Sequence, residues 1–389
     1  MRHFRFHHLI SIGLLLSSAV THATTADLAG GEAITASLQP FVDRHVLAGA
    51  VTLVASREKT LSVQAVGFAD VAAKKRLSTD ALFWIASQSK PMTAAALMML
   101  VDEGKVNLED AVERYLPEFK GQMVVVERDA DHVLLRKPGH PIKVRELLTH
   151  TSGLPFKSPM EEPTLDLLPL RDAVRIYALR PLQFEPGTKY DYSNAGINTA
   201  GRIIEVVSGF SYETFMEQRL FKPLGMKDTT FWPSSAQARR LAKSYQPNAD
   251  QSGLEETTIT QLRYPLTDRK RQPVPAGGLF STAQDVGRFC QMILNGGVFN
   301  GKRYLSEAAI TQMTSKQTGD MLKEGYGFGW SIHGTSFGHG GAYSTSMNVD
   351  PQRGLITVFM VQHAGFPRQE GAAIERAFTE AARKLVLSP

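Results

Sequence analysis

The sequence predicts an α+β fold: one antiparallel sheet built from both ends of the chain and flanked by helices, with a mainly helical lobe inserted between. Three observations carry this. Alternating β-branched runs occur near the start, in AGAVTLVAS and TLSVQAVGF, and strand character returns near the end in YGFGWSIH, TSFGHGGAYSTSMNV and GLITVFMVQH. A period of two is what a strand with two unlike faces requires. From Pro91 to about Asn295, helical spacing and long loops dominate instead, and the cleft between two such lobes is a usual place for a ligand site.

Residues 1–23 combine Arg2 and Arg5, an apolar run over 9–20 and the closing Thr21, His22 and Ala23. This is the pattern of a secretory signal peptide cut after Ala23. The run is shorter than the roughly 20 residues a span needs, although an uncleaved anchor is the alternative because threonine is a poor residue three before the cut. The expectation is an exported protein, periplasmic or secreted, with no stable membrane insertion after signal removal. Next, residues 34–45 have helical spacing, and the two early strands form a hairpin through the polar turn 56–59.

The sheet lobe is assigned to residues 24–95 and 291–389, and the helical lobe to 96–290, the two making one catalytic domain. Within the helical lobe, MVVVE and HVLLRK flank an acidic turn and predict a hairpin near 122–143. Helices are predicted for SAQARRLAKSY and for TAQDVGRFCQMILNGG, the latter opened by Ser281 and Gln284 at capping-box spacing. Residues 368–386 close the chain as an amphipathic helix. The loops 157–170 and 246–275 are expected to line the cleft.

Composition excludes several functions. With 43% apolar and 21% charged residues the chain is a globular protein rather than a disordered one. Loss of residues 1–23, which hold two arginines and no acids, lowers the net charge from +5 to +3. That mild excess, without a run of five basic residues, gives no nucleic-acid footprint. The lone Cys290 cannot form an internal disulfide and reads as a buried small apolar residue, and an exported protein without disulfides suits a Gram-negative periplasm. The seven histidines after residue 23 make no HxH or HxxxH pair, so no metal and no cofactor is expected. His150 reads as structural, hydrogen-bonded near a turn.

Three short motifs carry chemistry. Ser-x-x-Lys occurs twice, where 26 serines and 18 lysines predict about one by chance. Ser56 and Lys59 lie in a hairpin turn and read as solvated. Ser87 and Lys90 stand where an aromatic run meets a strong helix pattern, FWIASQSKPMTAAALMML. Pro91 is tolerated there because first-turn amides have no partner inside the helix. A spacing of three puts the hydroxyl and the amine on one helix face, and an amine made less basic by burial can take the hydroxyl proton. The bland reading is an N-cap serine beside a solvated lysine.

The second motif is Tyr192, Ser193 and Asn194, in a loop after Pro186 and Gly187 and before a helix. Tyr192 would shuttle the proton with Lys90, and the Asn194 amide would hold Lys90 or a substrate carbonyl. The third is His339, Gly340 and Gly341, in a glycine-rich strand that would let an acyl group approach the backbone. The amides of Ser87 and Ala342 could then form an oxyanion hole.

In this order and setting the three motifs resemble those of the serine β-lactamase and penicillin-binding-protein superfamily, which includes class C β-lactamases, DD-carboxypeptidases, D-aminopeptidases and related esterases. Further wording is similar: RELLTHTSGLP, FEPGTKYDYSN, FKPLGMKDTTF, AGGLFSTAQDVGRF and YGFGW. The resemblance covers roughly residues 34–386 and implies a β-lactamase/transpeptidase-like fold. It also implies an acyl-enzyme on Ser87, with small ester, D-amino-acid peptide or β-lactam substrates. One departure matters. Where β-lactamases carry Lys-Thr-Gly this chain has His339, and a mostly neutral imidazole holds a β-lactam carboxylate less firmly, which favours esters and D-amino-acid amides.

Three rivals remain on the sequence. One is a class C-like β-lactamase and another a catalytically silent penicillin- or muropeptide-binding protein. The third rests on GTSFG, which matches a Gly-x-Ser-x-Gly elbow at Ser336, with Asp350 and His363 following in triad order. Its context is wrong, because an elbow needs a strand, a sharp turn and a helix.

Overall fold

The computed structural model describes residues 25–387; the signal-peptide pattern lies outside the described residues. Helix α1 (Thr25–Asp43) leads into strands β1 (Gly49–Ala55), β2 (Thr60–Asp70) and β3 (Lys75–Arg76). Helix α2 (Ser89–Asp102) opens the helical lobe, which contains α3 (Asn194–Ser208), and α4 (Ala283–Leu294) returns to the sheet. Strands β4 (Ser331–His333), β5 (Ser336–Gly340), β6 (Ser346–Asp350) and β7 (Leu355–Met360) precede the closing α5 (Gly371–Leu387).

These strands make one antiparallel sheet in the order β4-β5-β6-β7-β1-β2-β3, so the chain ends meet where Val51 pairs with Met360. β1 is buried along its whole length because both sheet faces are covered. Ala50 and Val54 join Ile34, Leu38, Ile374 and Phe378 under α1 and α5, while Val51 and Leu53 join the main core with α2 and α4. α4 lies so close that a Cβ on Gly287 would stand 2.9 Å from a Leu53 methyl. The position of residue 290 falls inside this helix.

The expected sheet from both termini is therefore present, as is the hairpin, at Val124–Arg128 and Val133–Arg136. Several local expectations are overridden. TSFGHGGAYSTSMNV is two strands around a turn, in which the Ser344 amide donates to Gly341 O at 2.9 Å and Ser344 has φ +63°. SAQARRLAKSY is helical only over Ser235–Ala238. Beyond it, Ala242 and Tyr245 donate to the carbonyls of Leu82 and Gln362, so backbone pairing outcompetes a solvated helix. α4 is capped by Thr282, whose hydroxyl accepts from the Asp285 amide; the hydroxyl of Ser281 is instead paired with that of Thr229. α5 starts at Gly371 because Arg368 and Gln369 take positive φ after Pro367.

The loops 157–170 and 246–275 are fastened to each other. Asp166 accepts from Arg271 Nε at 2.7 Å and from the Arg263 amide at 3.0 Å, and Arg271 Nη1 donates to the carbonyls of Phe231 and Leu266. Both charged side chains are buried, so each depends on the other for its solvation. Asp166→Ala is expected to lower unfolding free energy by about 3–5 kcal/mol, read as a drop in the denaturant midpoint at unchanged slope; a loss below about 1 kcal/mol would show the pair to be dispensable.

Candidate active site

Ser87 lies in the single 3-10 turn Ala86–Gln88 that runs into α2. Ala86 is held at φ +44°, a conformation that costs a non-glycine residue energy and persists only where neighbours enforce it. Here the Ile85 amide donates to Leu279 O at 3.0 Å, and Ser89 Oγ donates to Ala86 O at 2.6 Å.

One turn on, Lys90 is fully buried, since α2 is covered on all sides over its first twelve residues. Its Nζ lies 2.9 Å from Ser87 Oγ, 2.8 Å from Asn194 Oδ1 and 2.8 Å from Ala276 O. Burial holds its pKa well below the ordinary lysine value. A neutral amine fits this set: its two N–H groups serve the two carbonyl acceptors, and the lone pair is left for the serine hydroxyl. The sequence placed Lys90 with Ser87 and Asn194; it had no means of marking Ala276, which contributes only a backbone carbonyl.

Tyr192 and Asn194 are delivered by a clasp between two segments. The amides of Gly187 and Asp191 donate to Thr151 O and His150 O, and those of Asn194 and Ala195 both donate to Phe156 O. Ser193 caps α3 by accepting from the Gly196 amide at 2.9 Å, which leaves Asn194 as the first helical residue, facing Lys90. Burial pushes the pKa of the Tyr192 hydroxyl up, and the nearby Ser87 hydroxyl offsets this only in part. Its ring lies 4.7 Å from Lys90 Nζ. The phenol is thus protonated when the amine is neutral, so the pair can pass a proton with Lys90 as the accepting end.

His339 is buried on β5. Its Nδ1 is 2.7 Å from Gly340 O and must donate, so Nε2 accepts from the Tyr326 hydroxyl at 3.0 Å. Burial, aided by Lys90, lowers its pKa to about 3, and both nitrogens are occupied by neutral partners. Pairing of β4 with β5 reaches only Ser331 opposite Gly338, so the edge from His339 onward is not covered by that strand. The two glycines differ. A Cβ on Gly340 would meet nothing closer than 3.7 Å, whereas one on Gly341 would stand 2.6 Å from Ile85 O. Gly341 is thus needed by the protein itself, and the contact brings Ala342, next in the chain, beside the segment bearing Ser87.

His150 carries more than a turn. Its Nδ1 accepts from the Ser193 amide at 3.1 Å, and its ring packs 4.4 Å from Tyr192 and 4.7 Å from Tyr326. Burial depresses its pKa. The decoy motif is a turn: Ser56 Oγ donates to Glu58 at 2.8 Å. Ser336 stands opposite His333 in a strand hairpin, and His363 Nε2 accepts from the Ala48 amide at 3.2 Å, so no elbow exists.

Fold and site together define the class: a serine-hydrolase fold of the β-lactamase/transpeptidase type, with a Ser-x-x-Lys pair at the mouth of a helix between a sheet and a helical lobe. The chain belongs to the Beta-lactamase family, whose model matches residues 34–381. It is 34% identical over 370 residues to Protein Rv1367c of Mycobacterium tuberculosis, covering 84% of this chain and 89% of that one. A Salmonella typhimurium protein named as a D-alanyl-D-alanine carboxypeptidase is 25% identical over 323 residues, covering 73% and 70%. Among solved structures, "EstCE1, a hydrolase with promiscuous acyltransferase activity" superposes with TM-score 0.75 at 25% identity, covering 93% of this chain and all of that one. Simvastatin synthase of Aspergillus terreus shares the fold at TM-score 0.78 and 19% identity, over 92% and 99% of the two chains.

Two predictions follow from this geometry. His339 and His363 both have pKa values depressed to about 3 by burial, against about 6.5 unfolded. The unfolded chain therefore binds more protons between these values, and stability, complete above about pH 6.5, falls as pH drops toward 3. Denaturant midpoints should already decline between pH 6.5 and 5; a flat profile there would contradict it. Ser336→Ala should change turnover less than about twofold, and inactivity would restore the elbow.

Proposed function

We propose that this protein is an exported serine hydrolase that forms an acyl-enzyme on Ser87 and cleaves esters or D-amino-acid amides in preference to β-lactam antibiotics. The observation that carries this is the buried Lys90 amine, 2.9 Å from Ser87 Oγ and under the ring of Tyr192, whose pKa burial raises. In the first step Ser87 Oγ adds to the carbonyl carbon and its proton passes to Lys90. The amides of Ser87 and Ala342 receive the oxyanion. Tyr192 then gives a proton to the leaving oxygen or nitrogen and is reprotonated from Lys90. In the second step water adds to the ester, with the proton path reversed, and Ser87 is regenerated. Asn194 and Ala276 O hold the amine in place throughout.

The preference rests on His339. Neutral at working pH, with Nε2 accepting from Tyr326, it offers a substrate carboxylate no charge, whereas an ester needs none there. The hydrolase name of one solved relative supports acyl transfer to water, while a carboxypeptidase, as another relative is named, would bring a terminal carboxylate to the same neutral wall. Export rests on the pattern of residues 1–23.

The test is intact-mass spectrometry of wild type and Ser87→Ala after exposure to a short-chain p-nitrophenyl ester, penicillin and a chromogenic cephalosporin, with turnover followed in parallel. Ester turnover with a slow or persistent penicillin adduct is expected, and Ser87→Ala should lose the adduct and at least about a thousandfold in kcat. Fast cephalosporin hydrolysis would instead mark a class C-like β-lactamase. Neither adduct nor turnover would leave a silent binding protein.

A further inference from the structure

Behind Lys90 lies a buried chain of hydrogen bonds of which the acyl-transfer steps use only the first member, Ala276 O. Lys90 Nζ donates to Ala276 O at 2.8 Å, and the Ala276 amide donates to Asn198 Oδ1 at 3.1 Å. Asn198 Nδ2 donates to the Tyr177 hydroxyl at 3.1 Å, which donates to Glu161 Oε1 at 2.7 Å, while Glu161 Oε2 accepts from the Ser158 amide at 2.7 Å. Glu161, Tyr177 and Asn198 are all buried. The other end of the Pro275–Ala276 peptide is held too, since Thr93 Oγ1 donates to Pro275 O at 2.8 Å. One peptide plane is pinned from α2 and α3, and its orientation sets where the next carbonyl, Ala276 O, points.

We propose that Asn198 is a positioning residue for Lys90: it fixes the peptide that aims Ala276 O at the amine, and Tyr177 with Glu161 fixes which way the Asn198 amide faces. This rests on Lys90 being the proton acceptor of the proposed function. The polarity of the chain supports it. The Glu161 carboxylate can only accept, so the Tyr177 hydroxyl donates outward and must accept from an N–H; this turns Nδ2 toward Tyr177 and Oδ1 toward Ala276. With Leu there, or with the amide reversed, the Ala276 N–H would be buried without a partner, at a cost of roughly 1–3 kcal/mol.

The titratable or hydroxyl groups facing Lys90 are Ser87, Tyr192, His150 and His339, none of them a carboxylate, and burial alone depresses its basicity. Lys90 must be neutral to act, so kcat/KM rises with pH as it loses its proton. Asn198→Ala frees the Pro275–Ala276 peptide to turn and takes Ala276 O from the amine; the charged form loses an acceptor, its basicity falls further and that rising limb moves to lower pH.

The experiment is the pH profile of p-nitrophenyl ester hydrolysis for wild type, Asn198→Ala and Tyr177→Phe, with melting temperature measured alongside. Expected are a limb at least about half a pH unit lower and a kcat about tenfold lower in Asn198→Ala, with KM within about threefold, and a smaller shift of the same sign in Tyr177→Phe. A lower melting temperature with an unmoved limb in the folded variants would overturn the positioning role. Should Asn198→Ala not fold, the sign of the Tyr177→Phe shift decides. If the wild type itself shows no rising limb or no Ser87 adduct, the proposed function has failed and not this inference alone.

Discussion

The site depends on keeping one amine out of water. A lysine in solvent is an ammonium, three or more pH units from being useful as a base at neutral pH. Here α2 is buried around its whole circumference, and Lys90 emerges only into a ring of neutral groups. The same dehydration acts in the opposite sense on Tyr192, raising its pKa because the phenolate is the charged form. One physical cause thus sets both groups: it disfavours the charged amine and the charged phenol alike.

Maintaining that arrangement takes several segments distant in sequence. The clasp between 150–156 and 187–195 presents Tyr192 and Asn194, the 274–279 turn supplies Ala276 O and steadies Ile85, and the Gly341 turn closes against Ile85. The loops 157–170 and 246–275 are tied together by Asp166 and Arg271, a pair too buried for either partner to be solvated alone. The sheet underneath, with β1 buried on both faces, is the rigid member against which these pieces are set.

The histidines follow the same principle. His150, His339 and His363 are buried and neutral, and each uses a ring nitrogen as a hydrogen-bond acceptor for a neighbouring amide or hydroxyl. A protonated imidazole could not fill any of these places. Neutrality at His339 also leaves this position of β5 without a charge, which separates it from one occupied by lysine.

The sequence by itself determined what is periodic or chemically distinctive. The sheet from two termini was legible because β-branched runs bounded by turn residues recur at both ends, and Ser87, Lys90, Tyr192, Asn194 and His339 stood out because three motifs, each a weak signal alone, coincide in one order and in helix, loop and strand settings. Where the competition was between local propensity and long-range pairing, only the tertiary structure could decide: SAQARRLAKSY gives up its helix to pair with Leu82 and Gln362, and Ser281 loses the cap of α4 to Thr282. Ala276, Tyr326 and Asn198 lay beyond the motifs for a related reason. A backbone carbonyl has no sequence signal, and a tyrosine or asparagine gains its role only from the partner that folding sets 3 Å away.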